Sequence, residues 1–315
     1  MNNDNSVFMK LASMPKVIGK YKNGNYKVVI LSDGTKVRKT DDDEFIPDFS
    51  ENCDVKITDK CGMNCPFCYE GCSREGKHAE LLNWKWLDSL HPYTELALNG
   101  NDLDHPQLEE FLTKLREKQV IPNITVHVMQ FLVNLHKIRT LQEKGLIFGI
   151  GISISGVGEV NQRTAILASK NLKNCVFHTI AGVTTQQEYE MLAENGCKVL
   201  VLGYKELGRG VNYEIRNRDE MFQKRLWLYD NLKDLSEKCS VLSFDNMALE
   251  QLDVHRLLTD EEWDQFYMGD DGGYTFYLDL VRGVFARDSV THTRFEIGDR
   301  TIDEMFQFIR EYYSK

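Results

Sequence analysis

The chain has 315 residues, of which 42% are hydrophobic and 27% are charged, and its formal net charge is −10. This length and composition fit one large α/β domain or two smaller ones and exclude an intrinsically disordered chain. The acidic balance disfavours nucleic acid as the main partner, and no apolar run reaches the length of about 18 residues that predicts a membrane span, so we expect a cytoplasmic protein.

Residues 1–50 predict a small N-terminal segment built on a β-hairpin. Apolar and polar residues alternate through NYKVVILSDGTKVRKT, and Asp33-Gly34 near its centre is a strong turn signal. The acidic stretch DDDEFIPDFSEN then connects this leader to the rest of the chain.

From Cys53 onward, short runs of β-forming residues alternate with amphipathic helical stretches. The predicted strands are 54–58, 95–100, 123–129, 147–155, 175–182 and 198–204. Such alternation indicates βαβ units and a parallel sheet, and right-handed crossovers curl these units into a barrel. We therefore predict the α/β fold class, with a partial (β/α)6 TIM-type barrel over residues 51–210.

Residues 211–315 depart from this alternation and predict an α+β extension that caps the barrel. Residues 218–238 have the pattern of a long helix, and a hairpin is expected to turn at Arg282-Gly283. The last segment, TIDEMFQFIREYYSK, is an amphipathic helix for which Thr301 is a suitable N-cap. The chain is thus expected to have three domains, 1–50, 51–210 and 211–315.

Four of the eight cysteines lie within fourteen residues, directly after the first predicted barrel strand: Cys61, Cys65, Cys68 and Cys72. Four thiolates would suit a closed structural zinc site, whereas three would suit a [4Fe–4S] cluster that leaves one iron open. Zinc sites of this kind usually pair two CxxC knuckles, and the chain has no second one. Because barrel enzymes carry functional residues at the carboxyl ends of their strands, the position favours the cluster.

Cys61, Cys65 and Cys68, with the aromatic Phe67 before the last of them, resemble the CxxxCxΦC signature of the radical S-adenosylmethionine (SAM) enzymes, including members from bacteria and their phages. The resemblance covers about residues 50–210. It implies that the three cysteines bind a [4Fe–4S] cluster whose fourth iron is chelated by SAM. A one-electron reductant of the flavodoxin or ferredoxin type would drive cleavage of SAM to methionine and a 5′-deoxyadenosyl radical, which abstracts hydrogen from a substrate.

The same resemblance leaves Cys72 as a free thiol beside the cluster. A second register, in which Cys65, Cys68 and Cys72 are the ligands, is an alternative that lacks the aromatic position. Replacement of Cys72 by alanine is expected to separate the two registers.

Further contacts to SAM are implied at the ends of later strands. Asn99, Gly100 and Asn101 stand where the family usually has Gly-Gly-Glu, so an amide replaces the usual carboxylate unless Asp102 supplies the charge. The remaining expected contacts are to the ribose and the adenine, and they are Phe67, Ser153, Ser155, Ile180 and Val183.

Three residues are expected to face the substrate: Gln130, Tyr204 and Lys205. His127 and Gln130 have opposite parity along the third predicted strand, so only one of them can face inward. Gln130 is favoured because it is nearer the carboxyl end, and a lone histidine is more often structural.

The cap 211–315 resembles the SPASM or twitch type of domain, but it lacks the cysteines of an auxiliary cluster. This likeness suggests a peptide or protein side chain as substrate. A small metabolite or nucleotide-like substrate is the first alternative, and a non-catalytic zinc or iron–sulfur protein is the second.

Overall fold

The computed structural model describes residues 14–99 and 102–314, without the side chain of Asp102. The chain divides after Phe49 into two compact units. The three-part domain division expected from the sequence stays a prediction. Within the described residues, no helix is both long and apolar enough to cross a membrane.

The first unit contains a three-stranded antiparallel sheet. Its strands are β1 (Val17–Asn23), β2 (Tyr26–Leu31) and β3 (Lys36–Lys39), in that order. The predicted hairpin is confirmed: β2 and β3 pair in antiparallel fashion, and the turn contains Gly34 with a φ of 94°. Strand β1 was not foreseen, although the following Gly24 is a turn residue with a φ of 55°.

The second unit is built on a ten-stranded sheet. Its strands are β4 (Asn52–Lys56), β5 (Glu95–Asn99), β6 (Ile121–His127), β7 (Gly149–Ser153), β8 (Cys175–Ile180), β9 (Lys198–Leu202), β10 (Val241–Phe244), β11 (Thr275–Asp279), β12 (Val284–Ala286) and β13 (Phe295–Glu296). The order is β10-β9-β8-β7-β6-β5-β4-β11-β12-β13. Strands β4 to β10 run parallel, and β11 joins them parallel to β4. The predicted α/β, TIM-type class is confirmed, with a longer parallel sheet than expected.

Helices connect and flank these strands. They are α1 (Leu108–Glu117), α2 (Val128–Val133), α3 (Leu135–Glu143), α4 (Glu159–Ser169), α5 (Gln186–Glu194), α6 (Arg209–Lys238), α7 (Asn246–Gln251), α8 (Asp260–Phe266) and α9 (Ile302–Tyr313). The expected cap of the last helix is confirmed, because the Thr301 side chain accepts a hydrogen bond from Glu304 N–H. Helix α6 begins earlier than predicted and has non-helical backbone angles at Asn217.

The two faces of the parallel strands differ in chemistry. One face carries fully buried residues such as Val55, Ile124 and Ile152, which pack into the apolar core together with the helices. The alternate positions are polar, and they include Asp54, Lys56, His127, Ser153 and His178. Because side chains alternate along a strand, these polar residues lie on the barrel-interior face. The fold therefore places its chemically reactive groups inside the barrel and at its carboxyl rim.

Candidate functional site

The cysteine loop, which we define as residues 59–72, follows the carboxyl end of β4. Cys61, Cys65 and Cys68 are half-buried, whereas Cys72 is buried. The loop is held at its base by two backbone hydrogen bonds, from Cys61 N–H to Ser73 O at 2.7 Å and from Ser73 N–H to Asp59 O at 3.1 Å. The loop thus lies at the rim where the sequence places it, with three thiols accessible and one enclosed.

The thiols of this loop influence one another. Burial, with the neighbouring Cys68 and Cys61 adding to it, raises the pKa of Cys65 to about 11. A hydrogen bond with the thiol of Cys72 lowers the pKa of Cys68 to about 6, and backbone N–H groups and the charge of Arg209 act in the same direction. The same bond raises the pKa of Cys72. The loop therefore favours a thiolate at Cys68, with Cys72 as its hydrogen-bond donor.

The expectation of a metal-binding site already in place is wrong. Among residues 14–99 and 102–314, no group of three cysteine, histidine, aspartate or glutamate side chains is arranged to hold a metal ion. The three cysteines share one loop, but their spacing establishes only that they are neighbours along the sequence. The closeness of the sulfur atoms depends on how the loop is packed.

Both ends of the cysteine loop bind one buried lysine of strand β4. Lys56 Nζ lies 2.6 Å from Oδ1 of Asp59, 2.6 Å from Oε2 of Glu70 and 3.6 Å from Oδ2 of Asp279. Burial alone would lower the pKa of Lys56, but the nearby carboxylates outweigh it and raise the pKa. Sequence reasoning missed this anchor, although a lysine between two apolar core residues, Val55 and Ile57, indicates carboxylate partners.

A cleft of about 570 Å³ opens on one side of the cysteine loop. Phe67, Gly156, Val183 and Tyr213 are among its lining residues. Phe67 packs with Ile180, Val183, Tyr204, Tyr213 and Met221 in one small apolar cluster. The structure thus brings together three residues expected to bind SAM, namely Phe67, Ile180 and Val183. Tyr213 is an addition that the sequence pattern had not marked, since it lies within a polar helix.

A smaller cavity of about 80 Å³ lies on the barrel-interior side. Lys205, Asp54, Asp245 and Tyr277 contribute to its lining. Lys205 Nζ donates a hydrogen bond to Ser289 Oγ at 3.0 Å and lies 4.5 Å from the centre of the Tyr69 ring. Tyr69 follows Cys68 directly in the sequence. Lys205 therefore reaches the underside of the cysteine loop.

Tyr204 has a different environment from Lys205. Its side chain is buried, and its hydroxyl donates to Gly210 O at 2.6 Å. That hydroxyl therefore supports the segment between β9 and α6.

The expected strand position of Gln130 is wrong. Strand β6 ends at His127, and helix α2 begins at the next residue with His127 as its N-cap, whose Nδ1 accepts a hydrogen bond from Met129 N–H at 3.2 Å. Gln130 lies in that helix, where its Oε1 accepts a hydrogen bond from Asn134 Nδ2 at 2.9 Å. The parity argument failed because an imidazole cap ended the strand before Gln130.

The other expected contacts lie at strand ends. Asn99 is the last residue of β5 and pairs in register with Lys56, whereas Gly100 and Asn101 lie outside the described residues. Ser153 ends β7, but Ser155 lies beyond the strand, so the two do not share its face as expected. Ser155 is buried, and its Oγ lies 2.6 Å from Oγ1 of Thr184.

Comparison with family models finds none that matches the chain, and comparison with curated proteins finds no match. Among solved structures, an aldo-keto reductase from a Medee basin deep-sea metagenome library is similar over 90% of this chain and 99% of its own, with 8% sequence identity and a TM-score of 0.27. A likeness this weak carries no argument about fold or activity.

The comparisons correct the family assignment made from the cysteine motif. No family model and no curated protein matches the chain, so no comparison supports membership in the radical SAM family. The chain is therefore not assigned to that family. The assignment was wrong because it rested on the spacing of three cysteines. That spacing identifies a set of sulfur donors, whereas membership in a family depends on similarity over the rest of the chain.

Proposed function

We propose that the chain is an enzyme that holds a [4Fe–4S] cluster on Cys61, Cys65 and Cys68 and uses it to cleave SAM. The observation that carries this proposal is that three half-buried thiols share one loop at the carboxyl end of β4, and that Pro66 and Phe67 of this loop line a cleft of about 570 Å³. When bound, the cluster and SAM supply one-electron cleavage of the sulfonium and a 5′-deoxyadenosyl radical that abstracts hydrogen from the substrate.

The cysteine loop carries the chemical type of ligand that iron–sulfur clusters use, namely thiols. Three half-buried thiols lie on one loop, and nearby backbone N–H groups lower the pKa of Cys68. Hydrogen bonds to sulfur and partial burial are the usual ways in which a protein supports such a group. Cys61, Cys65 and Cys68 would hold the cluster, and Cys72, which is buried, would remain outside the ligand set.

The cleft beside Phe67 is proposed to bind the adenosine part of SAM. Its volume of about 570 Å³ lies within the range of small-molecule sites, which bind mainly by apolar contact with a few polar groups. Phe67 and Tyr213 meet edge to face, with ring centres 5.7 Å apart. These side chains orient the nucleoside, and Ser153 and Asn99 at the neighbouring strand ends are candidates for its polar contacts.

The substrate is proposed to be a peptide or protein side chain that enters the barrel-interior cavity. That cavity, at about 80 Å³, has room for a side chain and is far smaller than a typical cofactor site. Lys205 is the candidate substrate contact, because it lines this cavity and touches Tyr69. Gln130 is not included, since its helix position removes the argument for it.

The electron donor is proposed to be a one-electron reductant of the flavodoxin or ferredoxin type. The cysteine loop reaches the surface, where Asn64 and Pro66 are exposed. A donor can therefore approach the loop without passing through the cavity that is assigned to the substrate.

The test is the formation of 5′-deoxyadenosine from SAM by the anaerobically reconstituted protein with dithionite. We expect slow formation without substrate and faster formation with a peptide that serves as substrate. A small metabolite that stimulates the reaction where peptide pools do not would replace the peptide proposal. No 5′-deoxyadenosine from a protein that has bound its cluster would contradict the proposed reaction.

A further inference from the structure

Arg209, the first residue of helix α6, binds the cysteine loop at three places. Its backbone N–H donates to Cys68 O at 3.0 Å. Its guanidinium donates from Nε to Cys65 O at 2.9 Å and from Nη1 to Cys72 O at 2.8 Å. A single residue thus contacts the carbonyl groups of three of the four cysteines in the loop.

These contacts fix the direction of the loop's peptide groups. Carbonyl oxygens of Cys65, Cys68 and Cys72 point toward Arg209, and within the loop the N–H groups of Cys68 and Gly71 donate to Cys65 O at 3.2 Å and to Cys68 O at 3.3 Å. An arginine fork can bind two acceptors in one fixed geometry, which a lysine ammonium cannot reproduce. The guanidinium therefore fixes the carbonyls of Cys65 and Cys72, and the N–H of Arg209 fixes the carbonyl of Cys68.

The backbone before Arg209 is shaped for this approach. Gly208 has a φ of 53°, and a Cβ atom at this position would lie 2.5 Å from Tyr69 O and 2.9 Å from Cys68 O. Glycine adopts this left-handed conformation without steric cost. The start of α6 can therefore lie directly against the loop, close enough for the N–H of Arg209 to bond with it.

We propose that Arg209 is a positioning residue that sets the conformation of the cysteine loop and places a fixed positive charge beside the iron–sulfur group. This inference rests on the proposed function for the second part, the charge. The first part concerns the loop itself and is measurable in the metal-free protein. The negative charge that a cluster gains on reduction is favoured by a nearby cation, so Arg209 raises the reduction potential.

The variants are Arg209→Gln, which removes the charge, and Arg209→Lys, which keeps the charge but loses the fork. Arg218→Gln is the matched control, because Arg218 is an exposed arginine on the same helix and its guanidinium pairs with Glu214. Three quantities are measured for each protein: amide hydrogen exchange of residues 59–72 without metal, iron per chain after reconstitution, and the reduction potential of the cluster.

In the metal-free Arg209→Gln protein, we expect exchange in the loop to rise by roughly tenfold or more, since hydrogen bonds to a charged group are among the stronger ones. Its iron content falls and its potential becomes more negative. Arg209→Lys restores the potential but keeps the faster exchange, a separation that a merely structural role would not give. Arg218→Gln matches the wild type in all three.

If amide hydrogen exchange of residues 59–72 in Arg209→Gln is as slow as in the wild type, the positioning role is overturned. An unchanged potential in Arg209→Gln would overturn the electrostatic role. If the wild-type protein binds no iron, the proposed function and the electrostatic role both fail, and the exchange measurement still decides whether Arg209 sets the loop.

Discussion

Lys56 Nζ lies 2.6 Å from Oε2 of Glu70, so a buried side chain of the first barrel strand holds the far end of the cysteine loop. The same ammonium lies 2.6 Å from Oδ1 of Asp59 at the near end. Together with the contacts of Arg209, this means that the loop is fixed from inside the barrel and from helix α6. The conformation of the proposed cluster site therefore depends on residues outside the cysteine motif.

Replacement of Lys56 by methionine is expected to lower the free energy of unfolding by about 3–5 kcal/mol, because it leaves partly buried carboxylates without their cation. The measurement is denaturant unfolding of the metal-free protein. Lys60→Met is the control, since Lys60 is an exposed lysine of the same loop. If the Lys56 variant is as stable as the wild type, other groups must stabilise the carboxylates that Lys56 binds.

The stability of the protein is expected to fall as the pH decreases from about 6.5 toward 4. Burial lowers the pKa of His178 to about 4 in the folded state, against an unfolded value near 6.5. Between these pH values the unfolded chain binds a proton at His178 that the folded chain does not. The contribution of neutral His178 to the free energy of unfolding is therefore present in full above pH 6.5. It is lost by roughly 1 kcal/mol for each pH unit below that value.

The measurement of this pH effect is denaturant unfolding at pH 7 and pH 5. His178→Phe is expected to reduce the slope, whereas substitution of the exposed His136 by glutamine serves as the control. The same slope in His178→Phe as in the wild type would assign the pH dependence to other groups.

Gly151→Ala is expected to cost about 1–3 kcal/mol, the usual range for overpacking. A Cβ atom at Gly151 would lie 2.3 Å from Cε1 and 2.5 Å from Nε2 of His178, so the ring would have to move. Thermal or denaturant unfolding measures the loss. Gly158→Ala is the control, because a Cβ there meets nothing within 4 Å. In a double variant that also carries His178→Ala, the extra cost of Gly151→Ala should largely disappear. If the stability losses of the two single variants simply add, the close approach of Gly151 and His178 is contradicted.

Phe67→Ala is expected to weaken SAM binding by roughly tenfold, since a lost aromatic contact removes both apolar area and ring packing. Equilibrium dialysis of SAM with the reconstituted protein gives the dissociation constant. Phe222→Ala is the matched control, because Phe222 on helix α6 is 60% exposed. An unchanged dissociation constant in Phe67→Ala would remove the cleft from the proposed SAM site.

The alternation of strands and helices was readable from the sequence because short runs of β-forming residues are separated by amphipathic helical segments. The hairpin at Gly283 and the cap at Thr301 followed from local residue chemistry, and both are present. The joining of β11 to β4 was not readable, since it pairs residues more than 200 positions apart. Long-range pairing leaves no local pattern.

The site was readable only in part. Phe67 and Val183 were expected from the family resemblance and Lys205 from its place at a strand end, and these residues line the two cavities. Lys56 and Arg209 were missed, because their partners are a distant carboxylate and three backbone carbonyls. Backbone acceptors exist at every residue, so no sequence pattern marks which of them an arginine will bind.

The most direct test of the central claim is the iron and sulfide content after anaerobic reconstitution, followed by EPR of the dithionite-reduced protein with and without SAM. We expect about four irons per chain in the wild type and in Cys72→Ala, a signal that SAM changes, and loss of the cluster in Cys61→Ala, Cys65→Ala and Cys68→Ala. A colourless protein that binds zinc, or a cluster that requires Cys72 and tolerates the loss of Cys61, would contradict the account.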